Sequence, residues 1–237
     1  MDRIRSEKAA GDLMDLQSFL RYPLEELPFL LIAIAIGFTV HEFAHAYSAY
    51  KFGDNTAYKA GRVTLNPRVH LDILGTLLLL IAGFGWPKPT PVNPNNFSNP
   101  RLMGIIVTAA GPVSNLLVGI ISVFIIIGIS ASGILDNSSV GVVSAVSTAF
   151  NYIISINFLL FVFNLIPLPP LDGYRIIADL VPLKVRLKMD EYSHWGTYIF
   201  LLIVFIPPLR RVTIDPVLAL SGDLIRNTAL IANQIFS

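Results

Sequence analysis

The chain has 237 residues, 54% of them hydrophobic and 14% charged, with a formal net charge of +1. An average soluble domain carries roughly 25% charged residues, so this composition indicates a polytopic membrane protein; the near-zero charge gives no support to a nucleic-acid partner. No cysteine is present, which excludes disulfides, thiolate ligands and thiol nucleophiles and restricts any metal site to His, Asp and Glu.

Residues 1–26 mix Arg3, Arg5, Lys8 and Arg21 with acids and lack the apolar core of a secretory signal. Apolar positions at helical spacing over 13–20 predict an interfacial helix there. Residues 27–50 form the first apolar segment long enough to span a bilayer, and it contains His41-Glu42-Phe43-Ala44-His45. A polar stretch over 51–68 is broken by Gly53, Gly61 and Pro67, and short strands such as Arg62 to Leu65 are expected in it. Ile73 to Trp86 is apolar but short for a span, which suggests a re-entrant segment. Residues 87–100 hold Pro87, Pro89, Pro91, Pro94 and Pro100 among asparagines and predict an extended loop.

Residues 102–132 and 141–166 are the second and third long apolar segments, joined by a short polar turn. The third ends in Asn164-Leu-Ile-Pro-Leu-Pro-Pro-Leu-Asp-Gly173. A loop bearing Arg175, Lys184, Arg186 and Lys188 is expected next, then an apolar segment over 194–209. Residues 216–236 look amphipathic, with Asp223 and Arg226, and are expected at the interface. The fold class is therefore an all-α polytopic membrane protein. It has three core spans, a re-entrant segment, one or two peripheral helices and small β elements in the loops. Three regions are expected: an N-terminal interfacial segment (1–26), a membrane core (27–175) and C-terminal helices (176–237). The basic residues of 51–70 and 174–190 predict cytoplasmic loops, with 133–140 on the far side. The first span then ends at its histidines on the cytoplasmic side.

HExxH on a helix puts His41 and His45 on one face, where both can ligate a single ion, and places Glu42 beside them. A catalytic zinc usually takes three protein ligands. Asp172 is the candidate third, because it follows the third span at matching depth. The prolines before it break the helix, and such breaks are tolerated in a membrane where they line a wet cavity. A capping aspartate is the plain alternative. Glu42 is the expected general base, since zinc lowers the pKa of bound water towards about 7. In Gly111-Pro112-Val113-Ser114-Asn115, Asn115 has two readings: a substrate or oxyanion donor, or a polar link between helices. Asn164 has the same two. His70 and His194 read as loop or interface residues rather than ligands.

These three motifs, in this order, resemble the site-2 protease family of intramembrane zinc metalloproteases. Gly61-Arg-Val-Thr-Leu-Asn-Pro67 and Gly85-Trp-Pro-Lys-Pro-Thr-Pro-Val-Asn-Pro94 resemble its compact prokaryotic members, and no PDZ or CBS module accompanies them. The resemblance covers about residues 28–175. It implies that His41, His45 and Asp172 ligate Zn2+, that Glu42 is the catalytic acid/base and that Asn115 lies near the active site. It also implies a transmembrane protein or peptide substrate cut near its cytoplasmic end, in a prokaryotic cell membrane. The extended segments at 61–67 and 87–94 are expected to pair with an unwound substrate strand. The competing readings are a membrane metal-binding or transport protein using the same His and Asp residues, which would usually show paired repeats, and a non-catalytic chaperone. The sequence does not address the oligomeric state.

Overall fold

A computed structural model describes residues 22–236. The interfacial helix expected over 13–20 lies outside the described residues. Eight α-helices follow in order: α1 Leu27–Lys51, α2 Thr56–Lys59, α3 Ile73–Ala82, α4 Pro100–Ala131, α5 Val140–Asn164, α6 Asp172–Leu180, α7 Leu183–Phe205 and α8 Pro207–Phe236. With its one-turn lead-in from Leu24, α1 joins α4 and α5 as helices long and apolar enough to cross a membrane. These are the three expected spans.

Local chemistry sets the boundaries. α1 starts with Pro28 in its first turn and ends with Lys51, whose charge complements the C-terminal dipole. α3 is capped by the Asp72 carboxylate, which accepts from the Gly75 N–H at 2.8 Å. It stops at Gly83, which takes the left-handed conformation (φ 72°) that side chains disfavour. Its ten residues reach only ~15 Å, about half the hydrocarbon thickness, so α3 does not span. α4 opens with an Asn99 cap and Pro100, and α5 with a Ser139 cap.

Two expectations about the connections are corrected. Among the described residues there is no strand. Arg62–Leu65 is coil bent at Val63–Thr64, and the expected β elements reduce to one antiparallel bridge between Leu71 and Pro87. The reason is Arg62, whose buried guanidinium donates to the carbonyls of Val69, Lys88 and Pro89 and so takes acceptors a partner strand would use. The basic stretch 174–190 is likewise mostly helix, α6 and the start of α7. Its charges sit at helical spacing: Arg186 pairs with Asp190 one turn on and with Asp179 of α6.

The C-terminal apolar segment is the second half of α7. It ends at Ile206, where Pro207 and Pro208 start a new helix at 98°. α8 packs along α4 and α5. Ala232 is fully buried with Val123, Ile154 and Phe158. A second core at the other end joins Ile166 and Leu171 to Phe200, Val204 and Ile214, and so ties the approach to α6 onto the C-terminal helices.

Candidate metal centre

α1 turns one face towards α4, and the two histidines of that face each find a partner on it. Asn115 Oδ1 lies 2.7 Å from His41 Nδ1. The Val107 carbonyl lies 2.8 Å from His45 Nδ1. A carbonyl only accepts, so His45 Nδ1 carries the proton and Nε2 a lone pair. The Asn115 amide nitrogen donates to Gly37 O (3.0 Å) and Asn157 Oδ1 (2.9 Å), which fixes its oxygen as the atom facing His41. His41 therefore has the same tautomer as His45. Both Nε2 lone pairs point into one space, 3.0 Å apart.

Asp172 enters that space from the first turn of α6, after the proline-broken Leu165–Leu171 stretch. Its Oδ2 lies 3.1 Å from His41 Nε2 and 3.4 Å from His45 Nε2, and no hydrogen-bond donor reaches this buried oxygen. The three ligand atoms lie within 4.8 Å of one another. Three buried electron-pair donors with no proton among them repel unless a cation stands between them. The donor set of two imidazoles and one carboxylate, without sulfur, suits zinc. A small residue completes the cradle: a Cβ at Gly111 would collide with His45 Nε2 and Cε1 and with His41 Cε1.

Glu42 is buried beside this group, and its Oε2 accepts the Thr90 N–H at 2.7 Å. The segment that supplies Thr90 is the proline-rich loop, and sequence reasoning missed this contact across 48 residues. Both amide hydrogens of Asn115 are engaged inside the protein, so its amide is not a free donor towards the cavity. Asn164 bonds its own helix, Nδ2 to Leu160 O at 3.0 Å. His70 is fully buried in the loop layer, its Nε2 2.7 Å from Thr64 O. Burial pushes His70 below the usual imidazole value, against the pull of that carbonyl. His194 is exposed, its ring tilted against that of Trp195, outside the site. Asp54, also missed, is fully buried. Burial pushes its carboxyl up, but hydrogen bonds from Thr56, Asn93 and Asn96 outweigh this and hold it below the usual carboxylate range.

Both extended segments spend part of their backbone hydrogen-bonding capacity inside the protein. Pro87, Pro89 and Pro91 have no N–H; that of Lys88 donates to His70 O and that of Thr90 to Glu42. In the other segment Arg62 N donates to Ala57 O, Thr64 O faces His70, and the chain bends.

The sequence model described as Peptidase family M50 matches residues 29–207. A Bacillus subtilis (strain 168) protein named "Putative zinc metalloprotease YwhC" is 49% identical over 209 residues, covering 86% of this chain and 92% of its own length. A Mycolicibacterium smegmatis protein named "Putative zinc metalloprotease Rip2" is 28% identical over 197 residues, covering 80% and 72%. No solved structure matches.

Proposed function

The chain belongs to peptidase family M50 and is a zinc metalloprotease; from that premise we propose that it hydrolyses peptide bonds of transmembrane substrates near the cytoplasmic face. The observation that carries this reading is the convergence of His41 Nε2, His45 Nε2 and the donor-free Asp172 oxygen beside Glu42. His41, His45 and Asp172 would hold zinc. Zinc bound there supplies Lewis-acid activation of water and of the scissile carbonyl.

The chain's own residues do the rest. Asn115 and the Val107 carbonyl hold the two imidazoles in one tautomer and orientation. Asn115 thus acts on the site through His41, while Asn157 and Gly37 hold Asn115. Glu42 takes a proton from the attacking water and delivers it to the departing amine. Residues 27–175 form the catalytic core, and 176–237 buttress it from outside.

Depth supports a substrate within the membrane. His45 lies six residues before Lys51, the end of α1, or ~9 Å along the axis. Tyr47, Tyr50 and Tyr58 are exposed at this end, where aromatic side chains favour the headgroup level. The connections at this end carry Lys59, Arg68 and Lys88, whereas 132–139 has no Lys or Arg, which favours the cytoplasm for the wet side.

The test is Glu42→Gln in the full chain reconstituted in lipid, with zinc content and cleavage of a membrane-tethered reporter measured together. The expected result is retained zinc and cleavage reduced by about 100-fold or more. Cleavage at the wild-type rate removes Glu42 from the mechanism.

A further inference from the structure

The loop over Glu42 is built for placement. In Pro89-Thr90-Pro91 both neighbours of Thr90 lack an N–H, so Thr90 supplies the only amide donor of the three. Pro91 also restricts Thr90 to extended conformations. That one donor reaches Glu42 Oε2 at 2.7 Å. The Thr90 hydroxyl donates to the Glu42 backbone carbonyl at 3.1 Å. Side chain and main chain of one residue thus grip side chain and main chain of the other.

The loop is itself anchored on both sides of Thr90. Before it, the Arg62 guanidinium donates to Lys88 O and to Pro89 O (2.9 Å), and Lys88 N–H donates to His70 O at 2.7 Å. After it, the Asp54 carboxylate accepts from Asn93 N–H and Asn96 Nδ2, each at 2.7 Å, while Thr56 N–H and hydroxyl hold the same carboxylate. Arg62 is 5% exposed and Asp54 0% exposed. Burying a guanidinium or a carboxylate is costly unless it is hydrogen-bonded; both terminal nitrogens of Arg62 find carbonyls, while its Nε has no partner. Arg62 holds the loop carbonyls of Lys88 and Pro89 together with that of Val69, Asp54 holds loop amides together with Thr56, and no hydrogen bond joins either to the three candidate ligands.

We propose that Thr90 is the positioning residue for Glu42, with Arg62 and Asp54 as the two clamps that hold Thr90 in place. One Glu42 oxygen is taken up by the Thr90 amide, which fixes the direction in which the carboxylate presents itself to the metal centre. Fixing a reacting group in one orientation removes an entropy cost from the chemical step and leaves substrate binding alone. The inference rests on the reading of Glu42 as the general base.

The test is steady-state kinetics on the full chain in lipid vesicles, with a membrane-embedded fluorogenic peptide and zinc measured on each sample. Thr90→Pro removes the amide donor. The expected result is kcat lower by about 100-fold, KM within about twofold and zinc content unchanged, since only the base has lost its orientation. Thr90→Ala removes the hydroxyl alone and is expected to lower kcat by about fivefold, the worth of one ordinary hydrogen bond; Thr90→Ser recovers most of that loss. Should Thr90→Pro lose zinc along with its fold, the Ala and Ser pair decides.

In Thr90→Ala, a kcat equal to wild type, or a fall in zinc or a rise in KM that accounts for the loss, overturns the proposal. Glu42→Gln run in parallel separates the two claims. If it abolishes turnover while the Thr90 variants do not, the positioning role fails alone. If it turns over normally, the base assignment fails and the positioning role with it.

Discussion

The two ends of the helix bundle are held by different physics. At the end that carries the metal centre, the buried groups are polar and paired over long sequence distances: His41 with Asn115, Glu42 with Thr90, Asp54 with Asn93, Arg62 with Pro89. Further along the bundle, Val123, Ile154 and Ala232 bury together with Phe158, which reaches back to Gly119, and Leu224 and Ile225 of α8 pack against them. The polar end places atoms to within a hydrogen bond, and each group left unpaired there costs free energy. The apolar end supplies contact area and tolerates repacking. Damage to the first is therefore expected in metal binding and kcat, and damage to the second in unfolding.

The sharpest separation comes from Gly111→Ala. The added methyl has no room between His41 and His45, so the variant is expected to lose zinc and cleavage by about 100-fold or more while its helices stay assembled. Zinc titration beside circular dichroism checks both parts. Asn115→Ala comes next. It frees the His41 ring and strands Asn157, so zinc affinity is expected to fall by about 10- to 100-fold, read by competition with a chelator.

Away from the site, Val123→Ala is expected to lower stability by about 2 kcal/mol, with normal zinc per folded molecule. A loss of zinc there would break the distinction between the two ends. The smallest effect is in pH. Burial lowers the His70 pKa in the folded state, so His70 contributes fully above about 6.5, the ordinary unfolded value. That contribution is lost as pH falls below it, because the unfolded chain takes up the proton first. His70→Gln is expected to flatten this limb of a stability–pH profile.

The same contrast explains what was legible in the sequence. The three spans and HExxH are written in local patterns, continuous apolarity and an i,i+4 pair. Asp172 could be reached because proline breaks and loop charge placed it at the depth of His45. Arg175, Lys184, Arg186 and Lys188 read as a basic loop, although Arg186 and Asp190 stand at the i,i+4 spacing of a helix. The clamp on Glu42 was not legible, since nothing local tells which carboxylate the Thr90 amide will meet 48 residues away. The available hints were Pro-Thr-Pro, a motif that leaves one donor, and Asp54 two residues before Thr56, an aspartate–threonine turn pattern. Strand pairing at 87–94 was expected from extended character, and the prolines there limit the N–H groups that segment can offer to Lys88, Thr90, Val92 and Asn93.

Zinc X-ray absorption on the wild type and Asp172→Ala tests the central claim most directly. The account predicts a first shell of two imidazole nitrogens at about 2.0–2.1 Å and oxygen scatterers that include one carboxylate. It further predicts the loss of that carboxylate, or of the metal, in the variant. An identical zinc environment in both proteins would contradict it.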